Sequence, residues 1–312
     1  MISPASLLAA FVVGWFFPQG SVLRCLIPWQ VGVMLFMTFV GLNVHKMTFR
    51  RSHFLIVLLN ILVGVCGYKL TLMCSGDQEL ALAVFFTGMA PTATAAPAIA
   101  GFLKREVEYV VTGLLLTTFT IVVALPALLP WALNKEMADG EFLNAVLHVA
   151  KSVLLTMVAP ILIARFTRWV YPKSKEWPKK FKNLVFALWV TMVTIIACRA
   201  SEFIRDPAND VGASILLHVG LLSLLVCVLN FATGFLIGEP RYREESSQTL
   251  GQKNTGAMIV FASLYAGPLV ALGPTLYVLW HNIWNAAQLA NMARKENRKI
   301  IHGVKENVKI NG

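Results

Sequence analysis

The sequence reads TGMAPTATAAP over residues 87–97 and SSQTLGQKNTG over residues 246–256. Each stretch interrupts a run that is otherwise apolar. Pro91 and Pro97 each remove a backbone donor and clash with the preceding helical turn, and two glycines weaken a helix through the second stretch. Both stretches therefore predict broken helices, although a plain proline kink is an alternative for the first. Backbone groups freed at membrane depth are tolerated only where protein or a water-filled cavity surrounds them.

The chain around these stretches has the composition of a membrane protein. Of its 312 residues, 57% are hydrophobic and 14% are charged, whereas a soluble domain is roughly 45–50% apolar and about 25% charged. The mean hydropathy is +0.66. These values exclude an ordinary soluble enzyme and a disordered or fibrous chain. Apolar runs of roughly 17–25 residues recur along the sequence, which predicts an all-α, multi-pass membrane protein.

Ten such runs can be assigned, and ten transmembrane helices divide into two repeats of five. Because five is odd, the repeats would insert with inverted topology, a common plan in secondary transporters. We assign the first repeat to residues 1–140, the second to 141–293 and a basic cytoplasmic tail to 294–312. The two broken stretches fall in the fourth helix of each repeat. The predicted spans are 2–17, 22–43, 53–73, 80–102, 107–133, 143–165, 183–198, 213–237, 246–265 and 269–293.

The distribution of charge predicts the orientation of the chain. The net charge is +11, and most Lys and Arg residues fall in segments that share one side of the membrane. Since Lys and Arg in short loops stay cytoplasmic, both termini are expected to be cytoplasmic. Basic loops near a membrane also attract anionic lipid headgroups. The charge therefore indicates membrane lipid as a partner and not nucleic acid, and no protein partner is evident.

Lys253 places a charge within the ninth predicted span. Such a charge costs at least about 2.5–3.5 kcal/mol on insertion scales. The sequence assigns every acidic residue to a loop, so no carboxylate within a span pairs with it. Carbonyls of the broken helices could solvate the ammonium, its amine could be neutral part of the time, or an anionic substrate could supply the counter-charge. Lys253 could instead snorkel to an interface, as we expect for Lys69 and Lys151.

Candidate binding residues lie in and around the two broken spans. The N-termini of half-helices present partial positive charge to an anion. Polar groups in neighbouring apolar runs either contact a ligand or hydrogen bond between helices, and His281 is either a group that titrates near neutral pH or a packing histidine. The candidate substrate and ion contacts are Asn60, Pro91, Thr92, Thr94, Pro97, Thr117, Thr249, Gln252, Lys253, Asn254, Thr255, His281 and Asn282.

At these motifs the chain resembles the bile acid:sodium symporter family, which includes bacterial members. The resemblance rests on Lys253-Asn254-Thr255-Gly256, where the family has a Gln-Asn-Ser-Gly-like element, and on Trp280-His281-Asn282-Ile283 after a short outer turn. It is strongest over predicted helices 4–5 and 9–10. The resemblance implies a panel domain of helices 1, 2, 6 and 7 and a core domain of helices 3–5 and 8–10, in which helices 4 and 9 cross. It also implies alternating access by movement of the core against the panel, in a bacterial cytoplasmic (inner) membrane.

The sodium ligands that the resemblance implies are degenerate in this chain. Ala96-Pro97 stands where family members often have Ser-Asn, and Thr249 stands where the family has a Glu. Lys253 replaces a Gln, and Asn60 is roughly placed for a Gln ligand. Because an ammonium repels sodium, we expect Lys253 to replace one sodium ion by a tethered positive charge. Transport would then be proton-coupled, exchange-driven or facilitative.

The sequence therefore predicts a secondary transporter for a small organic anion that is bile-acid-, pantoate- or keto-acid-like. The alternatives are a sodium-coupled symporter of the same family and a metalloid exporter of related fold. A metalloid exporter needs a thiolate near the first break, and no Cys lies between residues 87 and 101. No catalytic residue, metal ligand or cofactor is predicted, because the chain has no CxxC and no HExxH motif. The family resemblance raises sodium as a coupling ion, but the degenerate ligands in this chain argue against it.

Overall fold

The computed structural model describes residues 4–41, 47–93, 95–133, 154–207 and 212–310, with the single positions 144, 147 and 151. Within these ranges the chain is helical, and its one isolated β-bridge joins two non-helical segments. Thr94 and most of the first half of the predicted sixth span lie outside the described residues. The all-helical prediction is confirmed for the described part of the chain.

The helices follow one another with short connections, many of which contain proline or glycine. Three short segments precede helices: a 3-10 segment (Pro18–Leu26), a π-helical turn (Leu154–Val158) and a second 3-10 segment (Pro172–Glu176). The helices are α1 (Pro4–Phe16), α2 (Ile27–Gly41), α3 (Arg51–Ser75), α4 (Gln78–Met89), α5 (Ala96–Phe102), α6 (Val107–Ala132), α7 (Ala159–Val170), α8 (Trp177–Lys180), α9 (Lys182–Arg205), α10 (Ala213–Ile237), α11 (Arg243–Gly251), α12 (Thr255–Tyr265) and α13 (Pro268–Ile310).

Several of these helices are long and apolar enough to cross a membrane. Among the described residues there are 5 such spans, and two shorter apolar helices, α4 and α12, flank the breaks. The protein is therefore an integral membrane protein. The count of ten helices in inverted repeats stays a prediction. The long spans are Pro18–Gly41, Arg51–Ser75, Val107–Ala132, Lys182–Arg205 and Ala213–Ile237.

Two helices are longer than the sequence predicted. Helix α9 continues to Arg205, beyond the predicted end at residue 198, because the sequence offers no Pro or Gly before Pro207. Helix α13 continues through the predicted tail to Ile310. The tail is rich in Lys, Arg and Glu, which are good helix formers, and it contains no proline.

The helices pack into two groups. The smaller group consists of α1, α2 and α7–α9, and the larger group consists of α3–α6 and α10–α13. Glycines permit the closest approach within the larger group, because a Cβ on Gly88 would lie 2.7 Å from the Cα of Gly64. Small residues at helix contacts are typical of membrane proteins, where close backbone packing replaces the hydrophobic effect.

Candidate functional site

Two broken helices meet inside the larger group. The break between α4 and α5 covers residues 90–95, and the break between α11 and α12 covers residues 252–254. Across this crossover, the Ala93 N–H donates to the Gln252 carbonyl and the Asn254 N–H donates to the Pro91 carbonyl, each at 2.7 Å. The predicted breaks are therefore present, and backbone groups freed by one break are satisfied by the other.

Three predicted site residues with buried hydroxyl groups lie at the crossover. Thr92 Oγ1 donates to the Thr249 carbonyl at 2.7 Å. Thr117 Oγ1 accepts the Thr92 N–H at 3.0 Å and lies 2.9 Å from both Thr92 Oγ1 and the Gly113 carbonyl. Thr249 Oγ1 donates to the Glu245 carbonyl at 2.7 Å. These threonines bind the protein's own backbone, and none of them lines the cavity described below.

Lys253 is buried, with 1% of its surface exposed. Its ammonium donates to Asn60 Oδ1 and, at 3.0 Å, to the Gly88 carbonyl, while Asn60 Nδ2 donates to the Met89 carbonyl at 3.2 Å. Gly88 and Met89 end α4, where the helix dipole places partial negative charge. Within the described residues no carboxylate pairs with Lys253. The snorkelling alternative is therefore wrong, and the ammonium is solvated by oxygens of α3 and the broken α4.

A cavity of about 570 Å³ separates the crossover from the smaller group. The wall formed by the smaller group is mostly apolar, with aromatic and methionine side chains. The opposite wall is polar near the crossover. The smaller group contributes Val31, Met34, Leu35, Thr38, Lys182, Asn183, Val185, Phe186, Trp189 and Met192; the larger group contributes Ala93, Ala95, Ile99, Phe102, Gln252, Lys253, Asn254, Thr255, Gly256, His281, Asn282 and Asn285.

The polar wall contains the N-terminus of α12 and one face of α13. Asn254 caps α12, and Thr255 is its first residue, so the positive end of this helix lies at the cavity. The His281 side chain is 8% exposed, and its Nδ1 has no hydrogen-bond partner among the described residues. Gln252 Nε2 donates to Asn285 Oδ1, and Asn282 Nδ2 donates to the Val278 carbonyl at 2.7 Å.

The predicted site residues thus fall into two layers. Gln252, Lys253, Asn254, Thr255, His281 and Asn282 line the cavity, whereas Asn60, Pro91, Thr92, Thr117 and Thr249 lie behind it in the crossover. Pro97 lies in the first turn of α5, and Thr94 lies outside the described residues.

Sequence reasoning missed part of the cavity wall. Asn285 follows His281 by one helical turn, so continuing along that face of α13 would have found it. No sequence pattern marks Trp189 and Met192 as cavity residues, because apolar residues of a spanning helix occur both at lipid and at cavities. Their position becomes apparent only when α9 is packed against the crossover.

The assignment of every acidic residue to a loop is wrong, because Glu79, Glu108, Glu202 and Glu245 all lie in helices. Glu245 is the buried one among these four. Because α11 begins at Arg243, earlier than predicted, Glu245 lies in its first turn and is buried. Glu245 Oε1 accepts the Glu106 N–H at 3.1 Å, next to the first turn of α6. The carboxylate therefore satisfies a backbone donor at a helix N-terminus and does not pair with Lys253.

Glu239, between α10 and α11, contacts Ser52 in the first turn of α3. Ser52 donates to its carboxylate through both the hydroxyl and the backbone N–H. Burial alone would raise the pKa of Glu239, but these hydrogen bonds favour the charged form and hold its pKa below the ordinary value of 4.5.

Comparison with known proteins identifies a family and a relative that are similar to this chain. The model of the Sodium Bile acid symporter family matches residues 25–205. This range includes the first break but ends before the second. An uncharacterized sodium-dependent transporter, YocS of Bacillus subtilis (strain 168), is 23% identical over 230 residues, which are 71% of this chain and 67% of the relative.

Proposed function

The chain belongs to the sodium bile acid symporter family, and from this membership we propose that it carries a small organic anion across the membrane by alternating access. The family is one of transporters, which are not enzymes. In this proposal the smaller group is the panel, the larger group is the core, and the cavity between them is the substrate site. The loops rich in Lys and Arg face the cytoplasm of a bacterial cell, and both termini lie on that side.

The two walls of the cavity support an amphipathic anion as substrate. The anionic group would lie at the N-terminus of α12, where the helix dipole places partial positive charge and the unpartnered His281 can donate. The apolar part would lie against Trp189, Met192 and their neighbours. A cavity of about 570 Å³ has room for a keto acid, pantoate or a bile acid, and its shape favours no single one of them.

The contacts of Lys253 carry the proposal on coupling. Its ammonium is held by neutral oxygens of Asn60 and Gly88 at the carboxyl end of α4, as a bound cation would be. At an effective dielectric constant of about 20, a second cation about 4 Å away would be opposed by about 4 kcal/mol. We therefore propose that Lys253 replaces one coupling sodium ion as a tethered charge, placed behind the anion site.

A sodium-coupled symporter is the second candidate, because the relative in Bacillus subtilis is described as sodium-dependent. A metalloid exporter has less support, since no cysteine is among the residues that line the cavity.

Uptake by proteoliposomes tests the proposal directly. We expect radiolabelled pantoate, cholate or pyruvate to enter liposomes that contain the protein equally well in sodium and in choline medium. Lys253→Met is expected to abolish this flux. Lys69→Met is the matched control, because Lys69 is an exposed lysine on α3 whose ammonium lies 5.0 Å from the centre of the Trp131 ring. Sodium-driven uptake that Lys253→Met leaves undiminished would refute the tethered-charge proposal and favour sodium symport.

A further inference from the structure

One face of α9 lines two separate spaces between the helix groups, the large cavity and a small void. Near the start of the helix, Lys182, Trp189 and Met192 line the large cavity. Near its end, Ile196 and Arg199 line a void of about 10 Å³. The positions recur at intervals of three or four residues, which is the spacing of a single helix face.

The void and the cavity lie on opposite sides of the crossover. Ile27, at the start of α2, lines the void, whereas Thr38, near its end, lines the cavity. On α13, Thr275 lines the void and Asn285 lines the cavity. The lining residues of three helices therefore follow one direction through the protein, with the large cavity at the end near Lys182 and the small void at the end near Arg199.

Among the α9 residues that line the cavity or the void, Lys182 and Arg199 are the only charged ones, and they lie at the two ends of this face. A rise of about 1.5 Å per residue places Lys182 and Arg199 about 25 Å apart, close to the roughly 30 Å thickness of a bilayer core. Between them the lining residues of α9 beyond Asn183 are apolar: Val185, Phe186, Trp189, Met192 and Ile196.

Neither cation is committed to a structural contact in the described part of the chain. Among the described residues, no hydrogen bond or ion pair at contact distance involves Lys182 or Arg199. The charged groups that act on Arg199 are Arg24, which adds to the positive potential at this end, and Glu202, one helical turn further along α9. Both side chains are thus available to a mobile anion.

We infer that Lys182 and Arg199 are the docking cations for the transported anion, one at each mouth of the pathway. This inference rests on the proposed function. An anion that enters from either side would first meet a cation, and would then follow the apolar face of α9 to the N-terminus of α12. A positive group at a narrow mouth raises the local concentration of an anion and its rate of entry. The two residues would therefore set the apparent affinity separately for each side.

Transport measured from each side tests this assignment. Right-side-out and inside-out vesicles would be prepared from cells that express the full chain, and the KM for radiolabelled pantoate, cholate and pyruvate would be measured in both. Arg199→Gln is expected to raise the KM about three- to tenfold from the Arg199 side alone. Lys182→Gln is expected to do the same from the Lys182 side alone. High salt should shrink the effect at the exposed Lys182 more than the effect at the half-buried Arg199, because screening weakens exposed charges most.

Matched variants separate docking from folding. Arg199→Lys and Lys182→Arg keep the charge and should keep the KM near that of the unmodified protein. Lys180→Gln removes a neighbouring exposed charge that does not line the cavity, and it should leave both KM values unchanged. Equal effects from both sides, or no effect while the unmodified protein transports, would overturn this inference alone. Absence of flux of all three anions in the unmodified protein would overturn the proposed function and this inference with it.

Discussion

Thr92 and Lys253 lie side by side as an antiparallel pair where two interrupted helices meet. The same pairing positions two different side-chain systems. The hydroxyl of Thr92 reaches the Thr249 carbonyl, whereas the ammonium of Lys253 reaches Asn60 and Gly88. The crossover therefore combines backbone pairing, hydroxyl hydrogen bonds and a buried lysine whose amine is hydrogen bonded. Each contribution can be tested separately.

Thr92→Val should destabilise the crossover. Valine has nearly the same shape but leaves the buried Thr249 carbonyl without this donor, so the free energy of unfolding should fall by about 1–3 kcal/mol. Thermal unfolding of the purified protein in detergent measures the change. Thr120→Val is the control, because Thr120 donates only to the Leu116 carbonyl of its own helix. Equal effects of the two substitutions would contradict the role assigned to Thr92.

Gly113→Ala should destabilise the contact between α6 and α11. A Cβ on Gly113 would lie 2.1 Å from Thr249 Cγ2, and overpacking of this kind costs about 1–3 kcal/mol. Thr249→Ser removes that methyl group and keeps the hydroxyl that donates to Glu245. The double substitution should therefore recover most of the melting temperature lost by Gly113→Ala. No recovery would show that Gly113 is required for another reason.

Asn60→Leu should cost more while Lys253 is present than after Lys253 is removed. The substitution deprives the Lys253 ammonium of an acceptor, and loss of a hydrogen bond to a charged group costs about 1.5–3 kcal/mol. In the Lys253→Met background the same substitution should cost less, because only the hydrogen bond from Asn60 to the Met89 carbonyl is lost. Unfolding of the two single variants and the double variant completes a double-mutant cycle. Additive effects would mean that Asn60 stabilises the protein independently of Lys253.

The pH dependence of stability should include a contribution from Glu239. Its pKa is held below the ordinary value of 4.5 in the folded protein, so its charged form favours folding. This contribution is fully present above the unfolded pKa and is lost as the pH falls through the lower, folded pKa. The melting temperature should therefore fall less steeply below about pH 4.5 in Glu239→Gln than in the unmodified protein. The same slope in both proteins would contradict this contribution of Glu239.

The sequence by itself determined the properties that depend on neighbours along the chain. Runs of apolar residues predict the spanning helices, because burial in lipid requires about 20 such residues in succession. Pro91 and the polar stretch around Gly251 predict the breaks, because the helix is disrupted locally at those residues. The sequence also singles out Lys253, because a charge within an apolar span is costly whichever helices surround it.

Only the tertiary structure decided which groups satisfy which. Lys253 is buried and donates to Asn60 and Gly88, because α3 lies beside the end of α4. The packing of helices likewise brings the Thr92 hydroxyl to the Thr249 carbonyl and places Trp189 at the cavity. Hydrogen bonds and cavities form between segments that are distant in sequence. A linear pattern records that a side chain is polar or apolar, but the packing of helices determines what that side chain contacts.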